Sequence, residues 1–313
     1  MSLRSLGWVS TALLIAGVAG LGAGCSPSFD PSSRLETLRV LAIRSDPVSP
    51  APGETANLSA LIYTPQGQQV AGTAWSWCPL VGSSTAGYPC LVTEAELSAL
   101  TGRPVSFDLG SSPTASLSNT IDPTTLQAIC AGAPPFSPPP DCTNGFPVTI
   151  RLTVTTANDQ VVAIAPLDLL FGPGQQANNN PTIAAPFALV GGVRQELDAA
   201  GTPILPRRVG TPVGVTVPDD ASETYLGTDN NGNPASIREQ LVLTWFVESG
   251  DTQDQNTTFI DGVVPLAQAT ENQWTPDSEA RYSPDTAELI VVIRDGRNGV
   301  AWSSGLAHLA RTP

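Results

Sequence analysis

The chain has no lysine. All 14 basic residues among its 313 are arginines, set against 28 acidic residues, for a net charge of −14. Without an ammonium nitrogen, Schiff-base chemistry is excluded. The acid excess argues against nucleic acid as a partner, since phosphate backbones call for a clustered basic surface. It also opposes docking on anionic headgroups through charge and instead keeps the surface soluble. Histidine is almost missing: His308, in LAHLA near the end, is the sole copy and reads as half-buried structure. No C-x-x-C pair, GxSxG, HExxH or Walker pattern occurs, which removes the usual signatures of zinc, nucleophilic and phosphate chemistry. The expectation is a protein that is not an enzyme, with no catalytic residue, no cofactor and no metal.

Turn-forming residues and apolar residues are plentiful. The 30 prolines, 28 glycines and 41% apolar content describe packed cores built from short strands joined by turns. The length allows two domains.

The N-terminus carries Arg4 and then an apolar run, LGWVSTALLIAGVAGLGAG, with no acidic residue before Asp30. A positive start, an apolar middle and small residues at the end make a secretory signal. The closing LGAGC is similar to the bacterial lipobox cut by lipoprotein signal peptidase, although Leu21 stands four places before Cys25, where the usual leucine stands three before. The resemblance implies a signal peptide over 1–24, acylation of Cys25 by fatty acids such as palmitate, and an outer-membrane address, since Ser26 follows the cysteine. Two or three acyl chains hold a protein firmly where one does not. Residues 25–36 are then expected to be a flexible tether.

Cys78, Cys90, Cys130 and Cys142 form an even set in a chain that leaves the cytoplasm, so two disulfides are expected. Their spacings of twelve, forty and twelve favour two local loops, with three connectivities possible in principle. Each local loop would contribute on the order of 2–3 kcal/mol.

Strand patterns divide the rest. LRVLAIRSD, TANLSALIY and the segment ending WSWCP read as three strands, with Ala56, Leu58, Ala60 and Ile62 on one face of the second. PVTIRLTVTTANDQVVAIAPLDLL closes the first unit, 37–172, as a hairpin. An insertion at about 79–146 is expected to decorate it, with a capping box at Thr93 and Glu96 and a second helix start at Asp122-Pro123. GPGQQANNNPT marks a linker over 173–182. The second unit, 183–313, contains LTWFV and the hairpin LIVVIRDGRNGVAW, whose Asp295-Gly296 and Asn298-Gly299 carry turn chemistry. Many short strands with turns between them imply an all-β chain of two sandwiches. The PxxPAPGE turn, WSWCP and the pair WFV…RDGRNGVAW resemble the immunoglobulin-like lipoproteins of myxobacteria and related bacteria. That resemblance implies two immunoglobulin-like β-sandwiches, the first with a small helical, disulfide-braced insertion. It departs from antibody domains in having no cysteine pair between the sheets.

Three further groups are candidates for ligand chemistry. Asp229, Asn231 and Asn233 alternate in TDNNGNP, as oxygen ligands for calcium can, though the closing glutamate of an EF-hand is missing. ESGDTQDQN scatters acids over a loop. Trp75, Trp77, Trp245, Trp274 and Trp302 would stack on sugars if exposed, and core packing is the alternative. The expected role is a lipid-anchored, non-enzymatic envelope or surface protein, a structural or interaction module meeting an unknown envelope or extracellular protein or glycan. The alternative is a carbohydrate-binding or calcium-dependent adhesive module on the same anchor.

Overall fold

The computed structural model describes residues 32–198, 200–228, 232–278 and 285–310. Cys25, Asp229 and Asn231 lie outside the described residues. In the first unit, strands β1 (Arg39–Asp46), β2 (Thr55–Tyr63), β3 (Gly72–Cys78), β4 (Asp108–Gly110), β5 (Ala115–Ser118), β6 (Phe146–Thr155) and β7 (Gln160–Leu169) follow one another, with helix α1 (Glu94–Thr101) before β4 and α2 (Pro123–Cys130) before β6. A sheet in the order β1-β2-β5 packs on one in the order β4-β3-β6-β7. This is an immunoglobulin-like sandwich in which the fourth strand joins the third, so that the first, second and fifth strands oppose the third, fourth, sixth and seventh. Strand β6 illustrates why: Phe146, Val148, Ile150, Leu152 and Val154 are all buried, while the residues between them face outward.

The second unit repeats the plan. Its strands are β8 (Phe187–Val190), β9 (Val193–Glu196), β10 (Ile204–Leu205), β11 (Thr211–Gly214), β12 (Thr224–Thr228), β13 (Pro234–Arg238), β14 (Leu241–Val247), β15 (Asp251–Thr252), β16 (Asn256–Phe259), β17 (Glu271–Thr275), β18 (Thr286–Asp295) and β19 (Val300–Leu309), with a short helix α3 (Leu266–Ala269) before β17. One sheet runs β10-β19-β18-β14-β16, and the other runs β15-β17-β11-β8-β9. Strand β10 pairs parallel to the last strand, β19, and β12 and β13 form a separate hairpin. The chain is therefore all-β, two immunoglobulin-like sandwiches, each with its own apolar core.

The segment 79–146 is more than decoration. It carries β4 and β5, which complete the two sheets by pairing with β3 and β2. Both strands are too short for an alternation pattern to reveal them. The added material is two loops. Cys78–Cys90 and α1 lie between β3 and β4; α2 and Cys130–Cys142 lie between β5 and β6. The Thr93/Glu96 capping box and the Asp122 cap, with Pro123 beginning the helix, start the helices as the sequence predicts.

The expected tether also differs in its last part. Residues 33–35 dock on the second sandwich: Leu35 N–H donates to Val247 O (2.9 Å) and Val247 N–H to Ser33 O (3.0 Å). Leu35 is fully buried, and Arg34 lies 3.4 Å from carboxylates of both Asp251 and Asp277. A buried leucine between two backbone bonds gives this stretch a reason to stay folded.

Candidate functional site

The most elaborate constellation of side chains is the junction between the sandwiches. Strands β1 and β2 carry apolar residues on both faces. Leu38, Ile43, Ala56 and Leu58 fill the first core, whereas Leu41, Ala42 and Tyr63 point the other way. They meet Phe246, Ile290, Val292 and Val300 of the second sandwich in a third apolar cluster, with Leu61 and Trp302 at its margin. Where the other sandwich covers this face its residues are apolar, whereas Asn57 and Ser59 further along β2 are polar.

Polar groups fix the register of that contact. A bulge between Val40 and Ala42 leaves Leu41 without a ladder partner on β2. Its carbonyl oxygen accepts from Arg294 Nη2 at 2.6 Å. Burial pushes the Arg294 guanidinium below its ordinary pKa. On the far side, Asn298 Nδ2 donates to Asp168 Oδ2 at 2.9 Å, linking the β18–β19 turn to the end of β7. Burial raises the Asp168 carboxyl above the usual carboxylate range, against the lowering effect of Asn298 and the Arg297 charge.

The expected linker is a bonded strap. Asn180 Nδ2 donates to Ser45 O in β1 at 2.8 Å, and its Oδ1 accepts from Val300 N–H in β19 at 2.9 Å. One side chain thus ties both sandwiches together. Asn178 is buried and donates to Asp295 Oδ2 and to Arg297 O. Gln176 exchanges two bonds with the backbone of Leu226. Arg297 holds the strap from beneath, donating to Gln176 O at 2.8 Å, pairing with Glu239 and lying over the Tyr225 ring. Asn298 takes a positive φ of 76°, and a Cβ on Gly299 would come 2.8 Å from the Asn179 carbonyl oxygen, so the strap needs glycine there. A recess of about 280 Å³ opens beside these groups, lined by Val40–Ile43 of β1, Ala163–Leu167 of β7 and the 294–300 turn.

The sequence-predicted candidates fall elsewhere. Cys78–Cys90 and Cys130–Cys142 are disulfides with Cα–Cα distances of 5.5 and 5.9 Å. Trp75, Trp245 and Trp274 are fully buried and Trp77 is 5% exposed, so they form cores rather than a sugar-stacking face. Each of these four indole nitrogens donates within the fold: Trp75 to Ser112 O, Trp77 to Ser106 O, Trp245 to Thr257 Oγ1 and Trp274 to Ser249 O. His308 sits in β19 with Nδ1 3.2 Å from Asp285 O. Of the calcium candidates only Asn233 is described, and among the described residues no cluster of histidine, cysteine and carboxylate groups is arranged for a metal. The junction residues were missed in the sequence because amides in a linker read as low complexity and DGRNG reads as a turn. Their signal was the matching of many amides, each both donor and acceptor, to a turn rich in charge.

No protein-family profile and no curated protein matches the chain. Among solved structures, three N-terminal domains of the bacteriophage RB49 outer capsid protein Hoc are similar at 8% identity and a TM-score of 0.22, covering 87% of this chain and 59% of that one. Murine CEACAM1b is similar at 9% identity and a TM-score of 0.21, covering 86% and 99%. The Yersinia pseudotuberculosis adhesin InvE is similar at 10% identity and a TM-score of 0.22, covering 89% and 61%.

Proposed function

We propose that this chain is a lipid-anchored envelope protein, held through Cys25, that acts as a rigid, non-enzymatic interaction module. The observation that carries the reading is the junction. An apolar cluster, a strap of amides and a buried arginine make two sandwiches into one body, so loops at its ends keep fixed distances from each other. Fixed geometry suits display to a partner. The disulfides support an oxidising compartment, and the apolar leader ending LGAGC supports attachment to lipid.

The test is intact mass spectrometry of the protein extracted from the membrane fraction of its own cells. The expected mass is that of a chain beginning at Cys25, with fatty acyl groups added and four thiols oxidised. A retained leader, or release into an aqueous wash without detergent, overturns the anchor. Crosslinking on intact cells then identifies the partner.

A further inference from the structure

We propose a second site, on the outer face of the first sandwich, in which Arg151 binds a carboxylate carried on an apolar body. Arg151 lies at the middle of β6, opposite Ser76 of β3 and Ile164 of β7. Its Nε is buried and meets no hydrogen-bond partner, and no ion pair among the described residues involves it. The other deep guanidinium groups are completed within the fold, Arg294 by Leu41 O and Arg297 by Glu239 and Gln176 O. A buried donor left unbonded is unfavourable unless something else completes it.

The surroundings are shaped for such a group. The Cys78–Cys90 loop overhangs the sheet and encloses a cleft of about 90 Å³ with Arg151 in its lining. Hydroxyl-bearing Ser76, Tyr88 and Thr149 edge it, Val81 and Ile164 supply apolar walls, and no acidic residue lines it. Tyr88 adopts a positive φ of 57°, a conformation that L side chains rarely hold, and the disulfide beside it pins the loop in that shape. Ile164 and its neighbour Val162 are 37% and 41% exposed, so the cleft opens onto an apolar ledge. A planar guanidinium matches a carboxylate side-on, through Nε and one terminal nitrogen. A single cation in so acidic a molecule favours a monoanion over a phosphate dianion. The ligand class is therefore an acidic group next to an aromatic or aliphatic body, as at a peptide's C-terminal phenylalanine. This site does not depend on the lipid anchor and stands or falls apart from it.

The test uses the full mature chain labelled with 15N and follows the Arg151 Nε–H resonance by NMR. N-acetylphenylalanine at neutral pH is the probe, with N-acetylphenylalaninamide and inorganic phosphate as the other arms. The expected result is a saturable shift of that resonance and of the Ile164 amide with the acid only. Arg151→Lys should weaken binding about tenfold, because the ammonium cannot make the paired contact, and Arg151→Gln should abolish the shift at Ile164 while the melting temperature stays close to wild type. Equal shifts with the amide, a response to phosphate alone, an unchanged affinity in Arg151→Gln, or no saturation with the acid would each overturn the proposal. If Arg151→Gln fails to fold, the comparison of acid with amide on the wild-type chain decides the matter.

Discussion

The guanidinium of Arg297 stands 3.2 Å from a carboxylate oxygen of Glu239, with 8% and 1% of the two side chains exposed. Burial raises the Glu239 carboxyl above its ordinary range, and the nearby Asp295 charge adds to that rise. A pair this deep gains little over apolar packing but becomes costly when one member is removed. Arg297→Ala should therefore lower stability by about 3–5 kcal/mol, and Arg297→Met combined with Glu239→Gln should recover most of the loss. Urea unfolding of the single and double variants measures both. A single variant within about 1 kcal/mol of wild type would contradict the buried pair.

The strap predicts a local effect. Asn180→Ala removes a side chain that bonds β1 and β19 together and leaves Val300 N–H without that acceptor. A loss of about 1–3 kcal/mol is expected, together with new protease cleavage between residues 173 and 182. Limited proteolysis followed by mass analysis of the fragments reads it. Unchanged resistance in the variant would mean the strap is held by other contacts.

Asp168 sets a pH dependence. Its carboxyl is raised by burial, so the folded chain binds that proton more tightly than the unfolded chain does. The burden on stability is absent below the ordinary carboxylate range, grows as pH rises through the raised value, and is complete above it. Asp168→Asn retains an oxygen for Asn298 and removes the charge. Thermal melts from pH 4 to 8 should show the variant more stable than wild type at neutral pH, with the two curves converging toward acid. A variant less stable at every pH would contradict the sign.

Apolar contact at the junction has its own signature. Ile290→Ala on β18 empties part of the cluster shared with Leu41 and Phe246, for a loss of about 2–5 kcal/mol. Small-angle scattering should report a broader distribution of distances as the sandwiches part. Leu243→Ala, confined to the second core, should cost a similar amount without broadening it.

The sequence disclosed the long strands because β6 keeps strict alternation along its length and β14 and β18 carry dense runs of β-branched and aromatic residues. Helix starts at Thr93 and Asp122 were legible because a cap is a local bond, complete within four residues. Strands β4 and β5 were not, since three or four residues hold no period and their place depends on partners far along the chain. The junction escaped for a related reason. Leu61 and Tyr63 read as the outward half of an ordinary strand, and only the second sandwich, far along the chain, turns that face into a core. Arg297 and Asn180 follow the same rule: their meaning lies in what the fold brings near.

The docking of Ser33 and Leu35 on Val247 sets an order of events during synthesis. More than 200 residues separate those partners, so the leading segment emerges long before the strand end that will hold it. The first sandwich can close on its own strands while this segment stays unattached, and the join waits for nearly the whole polypeptide to be delivered. Assembly thus begins near one end, and that same end is secured only after a distant strand arrives.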